Sequence, residues 1–159
     1  WLMKQKGCWV SQMADTLTCE IMSTMSGIQL SRCHEPTPSG TEMSAVFAIV
    51  EGQRYDMQLQ FRAEPRMFLR LARNMIGGEP EDFAEVEDYA AEFFNVLCGR
   101  FVSELCRVSQ MPAKFTPTRY EAVPRELSLD KGNIKTLYFV SENQERAQFS
   151  WGHFLVNGN

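Results

Sequence analysis

Residues 86 to 106, VEDYAAEFFNVLCGRFVSELC, carry the densest set of chemistry-bearing side chains in the chain. Asp88, Glu92 and Asn95 follow one another at helical spacing, and Gly99 comes one turn later. At 100° per residue these four positions fall within about 60° of one another on a helix. The stripe therefore offers carboxylates, a neutral carboxamide with one acceptor and two donors, and a stretch of backbone without a side chain. Asn and Gly are poor helix formers, and a solvent-facing Gly in mid-helix costs about 1 kcal/mol relative to Ala. A stripe of this kind is usually just the solvated face of an amphipathic helix. Gly99 argues against that plain reading, because its cost is offset if another helix of the chain or a partner approaches the backbone closely.

The helix needs a core on its other side, and the sequence supplies one. Val86, Ala90, Phe93, Phe94, Leu97, Phe101, Leu105 and Val108 all project opposite the polar stripe, with Glu104 as a flaw in the pattern. The helix is expected over about residues 82–108, and the acidic approach EPEDF suits the positive end of its dipole. Upstream, VSQMADTLTCEIMSTMSGIQL predicts a helix over about 11–25 ended by Gly27, with Met13, Met22 and Met25 as core filling. IQLSRC reads as a short strand, and EPTPSGT as a loop. Val46, Ala48 and Val50 alternate in one segment, and Tyr55, Met57, Leu59 and Phe61 in the next. The two flank Glu51-Gly52-Gln53, which predicts a β-hairpin with one face buried.

PRMFLRLARNMIGG predicts a helix with Pro65 near its start and Gly77-Gly78 at its C-cap. KFTPTRYEAV reads as extended, with Pro117 restricting it to an edge or an irregular part. SLDKGN supplies a turn, and TLYFVSE and RAQFSWGHF pair as a closing hairpin across Asn143-Gln144-Glu145. This order of elements predicts one α+β layer structure.

Bulk properties narrow the function classes. A chain of 159 residues fits one domain with a sizeable core. Its net charge of −4 implies no broad basic surface, so nucleic acid is not an expected partner. No apolar run is long enough for a membrane span, and no signal peptide is recognisable. The start at Trp1 suits a processed chain or a piece of a longer protein. The five cysteines are odd in number and include no CxxC pair, which favours a reduced, cytoplasmic setting. Cys33-His34-Glu35 lacks a second spaced ligand pair, so no metal site is expected. Cys98 and Cys106 read as packing residues rather than a redox pair.

The segment NMIGGEPEDFAEVEDYAAEFFNVLCGRF resembles the chemotaxis phosphatases CheX and CheC. Their mark is an acidic or Ser residue, three residues, Glu, two residues, Asn, and a Pro further downstream. Asp88, Glu92, Asn95 and Pro117 match it, as do the preceding Met75–Glu79 element and the Gly after the Asn. The resemblance extends to the order of elements over most of residues 11–155. CheC-type proteins usually carry the motif on two equivalent helices. Here the first helix has Glu20-Ile21-Met22-Ser23, with Ser in place of Asn, which favours a CheX-like single site per chain. Phe93, Phe94 and Cys98 depart from the small aliphatics expected at such positions, and the first ten residues match nothing.

The resemblance implies a two-layer α+β fold, three helices on a mixed, largely antiparallel sheet of about six strands. It implies an N-terminal extension over 1–10 and a single CheX-like domain over 11–159. It implies a cytoplasmic hydrolase of two-component signalling, acting on the aspartyl phosphate of a CheY-like response regulator and pairing as a homodimer through a shared sheet. In that reading Asn95 positions the attacking water and Glu92 docks to the regulator's Lys. Asp88 and Gly99 assist docking. The regulator brings the Mg²⁺, and this chain needs no cofactor of its own. The alternative is a non-catalytic module of the same fold that dimerises or binds a receiver domain within a larger signalling protein. A small-molecule sensor is a third reading, to which nothing in the sequence points.

Overall fold

The structure, a computed structural model, describes residues 2–53, 55–127 and 134–155. Among these residues three helices and seven strands follow one another as α1 (Leu2–Ser26), β1 (Leu30–Cys33), β2 (Ser44–Glu51), β3 (Tyr55–Ala63), α2 (Pro65–Ile76), α3 (Phe83–Ser109), β4 (Lys114–Phe115), β5 (Arg119–Glu121), β6 (Ile134–Ser141) and β7 (Arg146–Leu155). The turn expected at SLDKGN lies outside the described residues.

Each helix is built by an apolar face and stopped by a recognisable end. In α1, Ala14, Leu17, Ile21 and Met22 are buried, and Gly27 closes the helix at φ 71° with its N–H on the Ser23 carbonyl. The helix starts at Leu2 rather than near residue 11, so residues 2–10 continue it, and Val10 packs against the core. In α2, Met67, Phe68, Leu71 and Ala72 are buried, Pro65 stands in the first turn, and Gly77 caps the end at φ 82°. The Asp82 carboxylate accepts from Glu85 N at 2.9 Å, while the Glu85 carboxylate accepts from Glu81 N at 2.7 Å. That is a capping box with its return bond moved one residue upstream, and it fixes where α3 begins.

The sheet runs β1-β6-β7-β3-β2, and both β4 and β5 pair with β2 at its far side. Every pairing among the described residues is antiparallel. The expected extended segment KFTPTRYEAV is split in two because Pro117 has no N–H to donate. Thr116 bridges the break, donating its N–H to Ile49 O at 2.8 Å and accepting from Ile49 N on Oγ1 at 2.9 Å. The edge position expected for this segment is thereby met.

The core lies between the helices and one sheet face. Phe61, Phe68, Phe93, Phe94, Phe101 and Phe149 are fully buried and meet edge-to-face, as Phe61 and Phe93 do at 5.2 Å between centroids. Two expectations need correction. The β2–β3 hairpin is buried on both faces, since Ala45, Phe47, Gln58 and Gln60 are buried as well as the inward set. The chain after β5 supplies the second cover: the Arg125 guanidinium lies 4.0 Å over the Phe47 ring, and Arg125 O accepts from Gln60 Nε2 and Arg62 Nη2. Val108, expected in the core, is 48% exposed, because it falls in the last turn of α3, just before the C-cap at Gln110.

Candidate functional site

α3 is 27 residues long, and its buried face is the apolar stripe Val86, Ala90, Phe93, Phe94, Leu97 and Phe101. Fixing that stripe against the sheet turns the opposite stripe outward. Asp88 and Glu92 are exposed, and Asn95 and Gly99 are half-buried. The structure thus places all four sequence-derived site residues along one outer face of one helix, as the spacing requires.

Among the described residues Glu92 makes no ion pair or side-chain hydrogen bond, so its carboxylate is available to a cation brought from outside. Asn95 is held. The Thr118 hydroxyl lies 3.1 Å from Asn95 Oδ1 and donates to Ala91 O at 2.8 Å. Pro117, exposed beside them, is followed directly by this Thr. The segment Thr116-Pro117-Thr118 therefore spans from the sheet to the helix, with Thr116 fastened to Ile49 of β2 and Thr118 to the turn of α3 that carries Asn95.

At Gly99, the nearest atom to an added Cβ would be Cε1 of Phe115, at 4.0 Å. The approach to this glycine from within the chain comes from β4, at ordinary contact distance, and leaves room for a methyl group.

Beside the stripe lies an open cleft of about 560 Å³ whose lining includes Phe47, Asp88, Pro117, Thr118, Arg119 and Tyr120. Asp88 thus belongs both to the polar stripe and to the cleft wall, and Thr118 of the cleft wall touches the stripe at Asn95. The sequence reasoning did not find Thr118 or this cleft. The available signal was the Thr-Pro-Thr run around a Pro already assigned to the motif.

The corresponding stretch of α1 is built differently. Glu20 is exposed with Arg100 of α3 3.9 Å away, Ile21 and Met22 are buried, and Ser23 accepts a 2.8 Å hydrogen bond from Gln29 Nε2. Its polar groups are engaged within the chain, and no carboxamide faces outward there.

The remaining candidates are structural. Cys33 Sγ accepts from Arg146 Nη1 at 3.0 Å, while His34 and Glu35 are exposed. No group of three or more metal-ligating side chains occurs among the described residues. Burial pushes the Cys98 thiol far above its ordinary range. Burial, then the neighbouring Asp15 carboxylate, pushes the Cys19 thiol up to about 12. Neither is a thiolate nucleophile near neutral pH. No helix among the described residues is long and apolar enough to cross a membrane.

No protein-family model and no curated protein matches the chain. Solved structures do. A putative chemotaxis protein from Desulfovibrio vulgaris Hildenborough superposes with a TM-score of 0.75 at 18% identity, covering 91% of this chain and 96% of that one. The chemotaxis protein CheX from Vibrio vulnificus gives 0.74 at 16% identity, over 91% and 96%. The fold is CheX-like. CheX from Borrelia burgdorferi, solved as a CheX–CheY–BeF3–Mg²⁺ complex, gives 0.70 at 14% identity, over 89% of this chain and 96% of that one. The CheX-like fold accounts for three helices on an antiparallel sheet.

Proposed function

We propose that this protein is a phosphatase that binds a CheY-like response regulator and hydrolyses its aspartyl phosphate. The observation that carries the reading is the pairing of an exposed Glu92, without a partner among the described residues, with a fixed carboxamide, Asn95, one turn later on the outer face of α3. A pure binding surface has no evident need of the amide. The Borrelia CheX was solved with CheY, BeF3 and Mg²⁺, and beryllofluoride on a carboxylate stands in for a phosphoryl group. That complex supports a partner of this class, and the outward stripe of α3 is the face we assign to it.

The chemistry asks little of this chain. Phosphoryl transfer depends on position and on neutralising charge more than on covalent help. The regulator brings the phosphorylated Asp, a Lys and the Mg²⁺. What this chain adds is an oriented water. A carboxamide holds water without placing another negative charge beside phosphate. Asn95 would enter the regulator's site and hold the water in line with the bond to be broken, a positioning effect able to lower a barrier by several kcal/mol. Glu92 would pair with the regulator's Lys and set the docking register. Such a pair is worth little when fully exposed and more once an interface removes it from water. Asp88 would assist docking from the cleft wall, and Gly99 would admit the partner's backbone.

Two copies would pair through a shared sheet. The strand β1, which among the described residues pairs with β6 alone and is exposed at Ser31 and Arg32, supports this because such an edge can accept another strand. A light-scattering mass tests the dimer. With a receiver domain as partner, the site of action is the cytoplasm. The activity is tested by following phosphate loss from a panel of phosphorylated CheY-like regulators. Acceleration by the protein supports the reading, and no acceleration with any regulator of its source organism overturns it.

A further inference from the structure

Thr118 touches the proposed catalytic carboxamide from a segment 23 residues further along the chain. Its Oγ1 has two acceptor oxygens within reach, Ala91 O at 2.8 Å and Asn95 Oδ1 at 3.1 Å, and one proton to give. Ala91 O is also the carbonyl that accepts the helical bond from Asn95 N, four residues on. Thr118 therefore hooks the same turn at its backbone and at its functional side chain.

The two contacts are not equivalent. The shorter one takes the proton to Ala91 O. Oγ1 then faces the carboxamide with a lone pair, and the group that satisfies it is the amide NH2. The structure sets Oδ1 toward Thr118 at 3.1 Å; turning the carboxamide end for end, which exchanges Oδ1 and Nδ2 without moving the group, would let Nδ2 donate to Thr118 and would point the amide oxygen outward. This orientation suits the reaction. A water attacking phosphorus must aim a lone pair at it and direct a proton elsewhere, and an outward amide oxygen accepts that proton's hydrogen bond.

We propose that Thr118 is a positioning residue that fixes the orientation of the Asn95 carboxamide. This rests on the phosphatase reading above. Thr118 is itself anchored, because the next residue, Arg119, begins β5, and Thr116 is fastened to Ile49 on the other side of Pro117. The carboxamide is thereby referenced to the sheet and not only to its own helix.

The test compares wild type, Thr118→Val and Thr118→Ser in phosphate-loss kinetics against one phosphorylated regulator, with Asn95→Ala as control and with thermal unfolding of each variant. Val keeps the shape and removes the hydroxyl; Ser keeps the hydroxyl. The expected result is a kcat lowered about ten- to a hundredfold in Thr118→Val, with KM little changed, and recovery of most of the rate in Thr118→Ser. Full activity in Thr118→Val, beside an active wild type and an inactive Asn95→Ala, overturns the role of Thr118 and leaves the phosphatase reading standing. So does a loss that appears in KM alone, or that Ser fails to restore. An inactive wild type removes both readings together. Should Val unfold the protein, Thr118→Ala paired with Thr118→Ser provides the same comparison.

Discussion

Arg70 of α2 binds Glu145 through both Nε and Nη2, although Glu145 is only 2% exposed. Glu145 lies at the turn between β6 and β7, where its carboxylate also accepts from Ser141 Oγ at 2.7 Å. The Arg70 Nη1 reaches Glu142 at 2.7 Å, and Glu142 accepts in turn from Gln29 N at 2.8 Å. One guanidinium therefore joins α2, the closing hairpin and the link between α1 and β1.

Removing the two partners should have unequal effects. Arg70→Ala leaves a buried carboxylate with the Ser141 hydroxyl and the more distant charge of Arg66, and should cost about 3 kcal/mol. Glu145→Ala should cost less, because Arg70 keeps Glu142 and partial access to solvent. Urea unfolding of the two variants checks the order; equal losses would contradict it.

The same network sets a pH dependence. Burial alone would raise the Glu145 carboxyl, but the Arg70 guanidinium and the Ser141 hydroxyl outweigh it and hold the group below the usual carboxylate range. The Arg70 hydrogen bond, together with backbone donors, likewise lowers Glu142. The native state then binds fewer protons than the unfolded chain. This stabilisation is complete above the unfolded carboxylate pKa of about 4.3 and is lost as pH falls through the lower native values. Stability measured between pH 6 and about pH 3 should fall in the acid part of that range for wild type, and less steeply for Arg70→Ala.

Much of this fold was legible because periodicity reports burial directly. The apolar stripe of α3 from Val86 to Phe101, the alternation in β2 and β3, and the break at Pro117 each follow from local rules. The double cover of β2 was not, because the segment carrying Arg125 has no alternation to betray what it lies on. Residues 2–10 show no clean helical pattern, yet they continue α1. At the site, the stripe of Asp88, Glu92, Asn95 and Gly99 could be read from spacing alone. The Thr118 contact could not. It joins two segments distant in sequence through a single hydroxyl, and only the folded β4–β5 crossing brings them together.

Gly99 separates stability from docking. An added Cβ would meet Phe115 at an ordinary contact distance, so Gly99→Ala should fold and gain up to about 1 kcal/mol of stability from helix propensity. If the bare backbone admits a partner, the same variant should bind a phosphorylated regulator more weakly. A titration alongside thermal unfolding checks both halves, and unchanged affinity would remove Gly99 from the docking surface.

Glu92→Ala should weaken regulator binding and lower turnover at subsaturating regulator, with the loss shrinking at high salt as the ion pair is screened in wild type. Little change in the folding stability of the free protein is expected, since Glu92 is exposed and unpaired among the described residues. An affinity unchanged by the substitution would exclude the pairing with the regulator's Lys.

The central claim is that Asn95 supplies the oriented water and does not merely dock. The most direct measurement is phosphate loss from a phosphorylated CheY-like regulator with wild type and Asn95→Ala, with binding of each to the regulator followed in parallel. The account predicts that wild type accelerates the loss, and that Asn95→Ala binds with nearly the same affinity yet leaves the regulator's own rate unchanged. Full acceleration by Asn95→Ala would contradict it.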